Sequence, residues 1–329
     1  MLARGRRQRR LRHGGATTAP VALATVLTLW LVAPLAAQPH FVAIWGARGT
    51  DPGQFGAPTG VAVNAGDTLY VADAFLDRIT LFDGDGTALV TWNLRGSAPG
   101  QLRGPRGLAV DAGGDVYVAD SGNQRIQRFR RDGTFIEVFG DSGSAPGRFR
   151  GPYGLTLTRD RQLYVADQGN ARVQHFDWSE SPPRFVGVIG GGTAFFVSPT
   201  SVAVDSLGFL YVADLDGREI VQFDPAGQEV RRFHGEGSFP ELPTPLGVIV
   251  DGEVLQVTDV LNGIVEAFDR SGTRLYGWPP EGLPGPGLMA IGPRRRLFVS
   301  SGQDAVIYVY QLAVPVQSHS FGAVKSLFR

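Results

Sequence analysis

The sequence predicts an all-β protein, a closed wheel of six four-stranded antiparallel sheets, and three observations carry that expectation. The stretch Asp115-Val116-Tyr117-Val118-Ala119-Asp120 recurs as Leu69-Tyr70-Val71-Ala72-Asp73, Leu163-Tyr164-Val165-Ala166-Asp167 and Leu210-Tyr211-Val212-Ala213-Asp214. Weaker copies stand at Leu255-Gln256-Val257-Thr258-Asp259 and Leu297-Phe298-Val299-Ser300-Ser301. The last residue falls at 73, 120, 167, 214, 259 and 301, in steps of 47, 47, 47, 45 and 42, and a near-fixed period in this range marks a solenoid or a propeller. Each unit also opens on a proline (Pro58, Pro105, Pro152, Pro199, Pro245 and Pro286), and the 45 Gly and 22 Pro suit many short strands.

The second unit shows how each sheet is built. Gly107 to Asp111 reads as a strand, Gly113-Gly114-Asp115 as a turn, and Val116 to Ala119 as the returning strand. Ser121-Gly122-Asn123 turns the chain into a third strand, Arg125 to Phe129, and Arg131-Asp132-Gly133 turns it into a fourth, Thr134 to Phe139. Four antiparallel strands per unit make a propeller blade, and six blades close into a ring.

Closure is predicted from the two ends. The last unit has strands near Leu288 to Ile291, Arg296 to Val299 and Val306 to Leu312 but no fourth, while Phe41 to Gly46 copies the outer-strand pattern of Phe135 to Gly140. The N-terminal strand is therefore expected to complete blade 6 and so remove exposed sheet edges. The domain reading is residues 1–37 as a signal peptide, 38–312 as the propeller and 313–329 as a tail with no assigned place.

Six arginines (4, 6, 7, 9, 10 and 12), an apolar run from Val21 to Leu35 and the small pair Ala36-Ala37 have the layout of a secretory signal. A secreted or periplasmic location is expected, with membrane anchoring as the alternative if the leader stays uncleaved. The zero net charge hides an imbalance: without the six leader arginines, 25 basic residues face 31 acidic ones. This argues against nucleic acid as a partner. Cysteine is absent, so disulfides and thiolate chemistry are excluded. A monomer is expected.

The pattern Gly-Pro-x-Gly-(Leu/Val)-Ala-Val-Asp, then Tyr-Val-Ala-Asp, then Gly-Asn-x-Arg-(Ile/Val)-Gln resembles the NHL repeat, most closely at Gly104 to Gln127 and Gly151 to Gln174. The resemblance implies a six-bladed propeller and leaves activity open, because one fold hosts many functions. Blades 4 to 6 depart from the pattern: the position of Arg78, Arg125 and Arg172 is Glu219, Ile264 and Val306. Asp120 with Arg125, and Asp167 with Arg172, are spaced to bridge a turn within one blade as ion pairs.

Enzyme-like motifs fail the test of register. Gly140-Asp141-Ser142-Gly143, His234-Gly235-Glu236-Gly237 and Asp83-Gly84-Asp85-Gly86 fall in loops or turns of the repeat and lack the partners that a triad, an esterase elbow or a calcium loop needs. Some relatives of NHL proteins, the peptidyl-hydroxyglycine amidating lyases, resemble this fold and use histidine-held zinc near the channel with calcium inside it. Here the histidines after the leader are His40, His175, His234 and His319, none at the repeat offset. His175 is expected to be a packing residue on a third strand. Lactonase-like propellers would need Glu, Asn and Asp in the channel, where the first strands here offer mostly Val, Ala and Leu.

Strand direction places the loop entering strand one and the loop leaving strand two on one face. The predicted ligand-binding residues on that face are Arg106, Tyr153 and Thr200, which follow opening prolines, with Asp120, Asp167 and Asp214 close by. A cation and an amphipathic ring suit recognition of a peptide, glycan or acidic group. Phe75-Leu76, Leu215, Val260-Leu261 and Phe195-Phe196 would form an apolar patch if they share one rim, and arginines concentrate on blades 2 and 3. The expectation is a non-enzymatic scaffold without cofactor that binds a protein, peptide or glycan. The alternative is a metal-dependent lyase or hydrolase, amidating-lyase-like or lactonase-like, with its site at the central channel.

Overall fold

The computed structural model describes residues 38–190, 195–234, 242–279 and 282–313. The expected signal peptide and residues 314–329 of the expected tail lie outside them. Among the described residues the chain forms six four-stranded antiparallel sheets. Blades 1 to 5 run in chain order over residues 58–93, 105–139, 152–189, 199–233 and 245–278, and blade 6 takes residues 286–311 together with the strand His40–Trp45. That strand lies antiparallel to Val306–Gln311, with Phe41 opposite Tyr310 and Trp45 opposite Ile307. The innermost strands of neighbouring blades touch all the way round, blade 6 against blade 1 included, so the sheets form a ring.

Each first strand starts on its proline, two residues earlier than the apolar pattern suggests in blade 2. Pro105 pairs with Asp120 and Leu108 with Val118, leaving a bulge at Arg106-Gly107. A bulge follows the opening proline in every blade, and bulges re-aim side chains. The glycine in the bulge has a packing reason. A Cβ on Gly107 would stand 2.5 Å from the Tyr153 carbonyl oxygen, one on Gly154 would stand 2.5 Å from that of Thr200, and one on Gly60 would overlap the Arg106 carbonyl. Backbone thus meets backbone around the axis.

The core is divided among the six junctions between blades, one apolar cluster at each. A residue at the end of an outer strand wedges against a ring near the end of the third strand of the next blade. Trp45 packs on Phe82, Trp92 on Phe129, Phe139 on Phe176, Phe233 on Phe268 and Trp278 on Tyr310. Blade 3 supplies Ile189 at this position. A second plug comes from the loop before each blade, where Phe55, Leu102, Phe149, Phe196, Leu242 and Leu283 are all buried. Phe196 therefore belongs to the core, against Phe223, and not to a rim patch.

Candidate functional site at the channel mouth

The face that carries the loops into strand one and out of strand two is held, in blades 1 to 5, by the aspartate ending the second strand. Asp73 accepts the backbone N–H groups of Gly56 at 2.7 Å and Ala57 at 3.0 Å on one side and of Phe75 and Leu76, both at 3.1 Å, on the other. Asp120 accepts from Arg103 N–H at 2.7 Å, Arg125 Nε at 2.7 Å, Asn123 and Gln127. Asp167 repeats this with Arg150, Arg172, Asn170 and Gln174. Asp214 takes the N–H groups of Val197 at 2.8 Å and Ser198 at 2.6 Å. Burial pushes the Asp120 carboxyl above its usual range, against the pull of the Arg103 N–H, Asn123 and Arg125.

This corrects part of the predicted site. Asp120, Asp167 and Asp214 have no accessible surface, and their oxygens are occupied by the groups that anchor the loops, so they are framework and not ligand contacts. Thr200 is equally closed off: its Oγ1 donates to the Leu246 carbonyl of the next blade at 2.7 Å. Thr59 makes the same latch to Pro105 at 2.9 Å. The within-blade ion pairs form at 2.7 Å for Arg125–Asp120 and 2.8 Å for Arg172–Asp167. Each of these guanidiniums also holds three carbonyls of the preceding loop, and Arg78 does so in blade 1.

Arg106 and Tyr153 do reach the mouth, and they reach each other. The Arg106 guanidinium lies over the Tyr153 ring, 4.3 Å from its centroid, a cation–π contact. The ring is 8% exposed and forms one wall of a cavity of about 350 Å³. Leu215, Leu246 and Val260 supply apolar walls from blades 4 and 5, and Thr59 and Pro286 close the side toward blades 1 and 6. Leu261, Phe75 and Val197 stand on loops of the same face with 72%, 73% and 61% of their surface exposed. The mouth is a cup with apolar walls that Asp216 and Thr244 also line, and the Arg106 guanidinium stacks on Tyr153 beside it.

Below the mouth the axial channel holds a cavity of about 300 Å³ lined by the first strands, with Val61, Leu108, Leu155, Val202, Val248 and Met289 among its walls. No carboxylate or imidazole lines it. Among the described residues no group of three or more His, Cys, Asp and Glu side chains is placed to hold a metal ion. His175 lies on the third strand of blade 3, stacked on Tyr164, and His234 faces Glu219 at 3.6 Å. The donor set of a histidine-held zinc or a carboxylate-held calcium therefore does not fit this channel. Of the arginines on blades 2 and 3, Arg125, Arg128 and Arg172 are held in ion pairs.

Sequence patterning put Arg106 and Tyr153 on this face and missed that they stack on one another. The signal was in the register, since they occupy the same position of adjacent blades 47 residues apart. The NHL-repeat family model matches residues 102–129 and 149–176, within the blades whose aspartate, asparagine, arginine and glutamine network is complete. The chain is a six-bladed propeller in which segments of blades 2 and 3 match the NHL repeat. No curated protein matches it at the sequence level. Solved propellers similar to it include virginiamycin B lyase from Staphylococcus aureus, at 14% identity over 84% of this chain and 89% of that one with a TM-score of 0.57. A gluconolactonase from Xanthomonas campestris matches at 22% identity over 79% and 87%, TM-score 0.59. A chain of a nidogen/laminin complex matches at 22% over 68% and 80%, TM-score 0.55. At these identities the likeness is one of fold, and the structures it gathers include a lyase, a gluconolactonase and a chain of a nidogen/laminin complex.

Proposed function

We propose that this NHL propeller is an exported, non-enzymatic scaffold that binds a protein or peptide through the mouth of its channel, seating an apolar side chain in the cup beside Tyr153. The observation that carries the reading is the character of the axis: a cup walled chiefly by Tyr153, Leu215, Leu246 and Val260, with Asp216 at its side, above a channel of mostly aliphatic side chains, and no cluster of His, Cys, Asp and Glu at either among the described residues. Exposed Phe75 and Leu261 extend the apolar surface outward, as the centre and surround of a protein interface would. Arg106 adds a cation at the rim, which suits an acidic residue flanking the inserted side chain.

The test is recovery of partners from an envelope fraction by wild type, Tyr153→Ala and Leu215→Asp, with the metal content of the purified protein measured alongside. The reading expects a partner enriched by wild type and lost from both variants. Equal recovery by all three would sink it. Stoichiometric zinc or calcium, lost together with a lyase or hydrolase activity, would favour the metal-dependent alternative.

A further inference from the structure

The largest cavity described, about 760 Å³, is not at the channel mouth but in the cleft between blades 3 and 4, toward the opposite face. A row of cross-strand partners on the side of each blade facing the next one explains why it is open here. The row is Ala62, Tyr70, Leu81 and Val90 in blade 1, and Ala109, Tyr117, Arg128 and Glu137 in blade 2. In blade 3 it is Thr156, Tyr164, His175 and Gly187. The second-strand aromatic of this row is sealed in the other blades that have one. Trp92 covers Tyr70, Trp178 covers Tyr117 and Trp45 covers Phe298, while Tyr211 has no exposed surface. Tyr164 is half-buried and open on the cleft.

Three departures of blade 3 from its own repeat produce this opening. Ile189 stands at the position of Trp45, Trp92, Phe139, Phe233 and Trp278, so Tyr164 lacks the cover that Trp92 gives Tyr70 within its own blade. Gly187 ends the row, and a Cβ there would meet nothing within 4 Å. Thr158 replaces the Asn64, Asp111 and Asp205 that hold the hydroxyls of Tyr70, Tyr117 and Tyr211. The Thr158 hydroxyl turns instead to Asp160 at 2.5 Å. The Tyr164 hydroxyl is thereby left without a protein partner among the described residues, and burial raises its pKa, as does the nearby Asp160 charge. His175 stacks flat on Tyr164, with ring centroids 4.3 Å apart and planes 11° apart, and its Nε2 is held 2.8 Å from Gln162 Oε1.

We propose that this cleft is a saccharide-binding site for one or two neutral sugar rings, with the Tyr164–His175 stack as its platform. A sugar ring has an apolar C–H face and a rim of hydroxyls, so it needs a flat aromatic surface with donors and acceptors around it. The cleft provides the surface and, at its margin, a phenol, a carboxamide, the Asp160 carboxylate and the Arg159 guanidinium. A planar base would gain most from insertion between two rings, whereas here the two rings already face each other. The cavity lies within the range of roughly 300–1,000 Å³ usual for small-molecule sites. The proposal stands apart from the channel-mouth reading, because the two sites share no residue.

The test is titration of the purified propeller with cellobiose, maltose and N,N′-diacetylchitobiose, with indole and adenine as planar controls, followed by calorimetry and by the ring signals of Tyr164 and His175. Binding of at least one saccharide is expected, weakened more than tenfold in Tyr164→Ala and roughly threefold to tenfold in Tyr164→Phe. Ile189→Trp, which restores the ring that other junctions carry, should abolish binding while the melting temperature holds or rises. Gly187→Val reaches into the same space and should also block it, and it serves if Ile189→Trp fails to fold. The proposal is overturned if no saccharide binds, if only the planar controls bind, or if saccharide binding persists unchanged in Tyr164→Ala and in the folded blocking variant.

Discussion

The junction between blades 2 and 3 and the junction between blades 3 and 4 are built from the same strand register and end in opposite states. At the first, Trp178 stands edge-on to Tyr117 with centroids 5.0 Å apart, and its Nε1 donates to Glu137 at 3.0 Å. Glu137 also accepts from Ser181 at 2.5 Å and Arg128 at 3.1 Å, and Arg128 reaches on to Asp115. Burial alone would raise the Glu137 carboxyl, but these donors hold it below its ordinary value. At the second junction the same row ends in Gly187, where a Cβ would meet nothing within 4 Å. A propeller therefore needs its inner strands and loop plugs to close, while the outer half of a junction can be filled or left open by two or three side chains.

The strongest test of that contrast is Trp178→Ala, which opens the filled junction and should cost about 3–5 kcal/mol in chemical denaturation. A loss under 1 kcal/mol would mean that the filled junction contributes no more than the open one. Next, Glu137→Gln should cost roughly 1–3 kcal/mol at neutral pH. Because the folded-state pKa is depressed, the carboxylate's contribution is present above its unfolded value of 4.5 and is lost as pH falls through the folded value. The gap between wild type and variant should therefore narrow as pH falls below 4.5. In the opposite direction, Ile189→Trp should fill the open junction and stabilise by about 0.5–2 kcal/mol, read as a higher denaturation midpoint. The smallest effect concerns His175, whose pKa is lowered chiefly by burial, with Asp177 and Asp160 pulling it up and Arg184 down. Its folded state favours the neutral ring, so stability is full above pH 6.5 and falls as pH drops from there through the folded pKa. His175→Gln should flatten that slope, and an unchanged slope would place the titration elsewhere.

The blades, their number and their strand order were legible in the sequence because a strand period of two inside a repeat of 47 residues leaves little freedom. The ion pairs of Asp120 and Asp167 were legible too, since a five-residue offset across a tight turn brings the partners together. What spacing could not show was the direction of each remaining oxygen. Asp120, Asp167 and Asp214 looked like ligands because carboxylates near a mouth usually are, but the backbone N–H groups of the incoming loops occupy them. Patch residues were misplaced for a related reason: Phe195-Phe196 was read as part of a rim patch, although Phe196 stands 47 residues after the plug Phe149. The cup at the mouth was the hardest part, because Leu215, Leu246 and Val260 converge only once the ring is closed.

The close approach of Gly60, Gly107 and Gly154 to neighbouring carbonyls sets the bore of the wheel by main chain alone. The side chains that line the axis are thus upholstery on a rigid hub. Exchanging Val61 or Leu108 for a carboxylate would alter what the hub can hold without changing its diameter, which makes the axis of this protein a place where chemistry could be installed independently of shape.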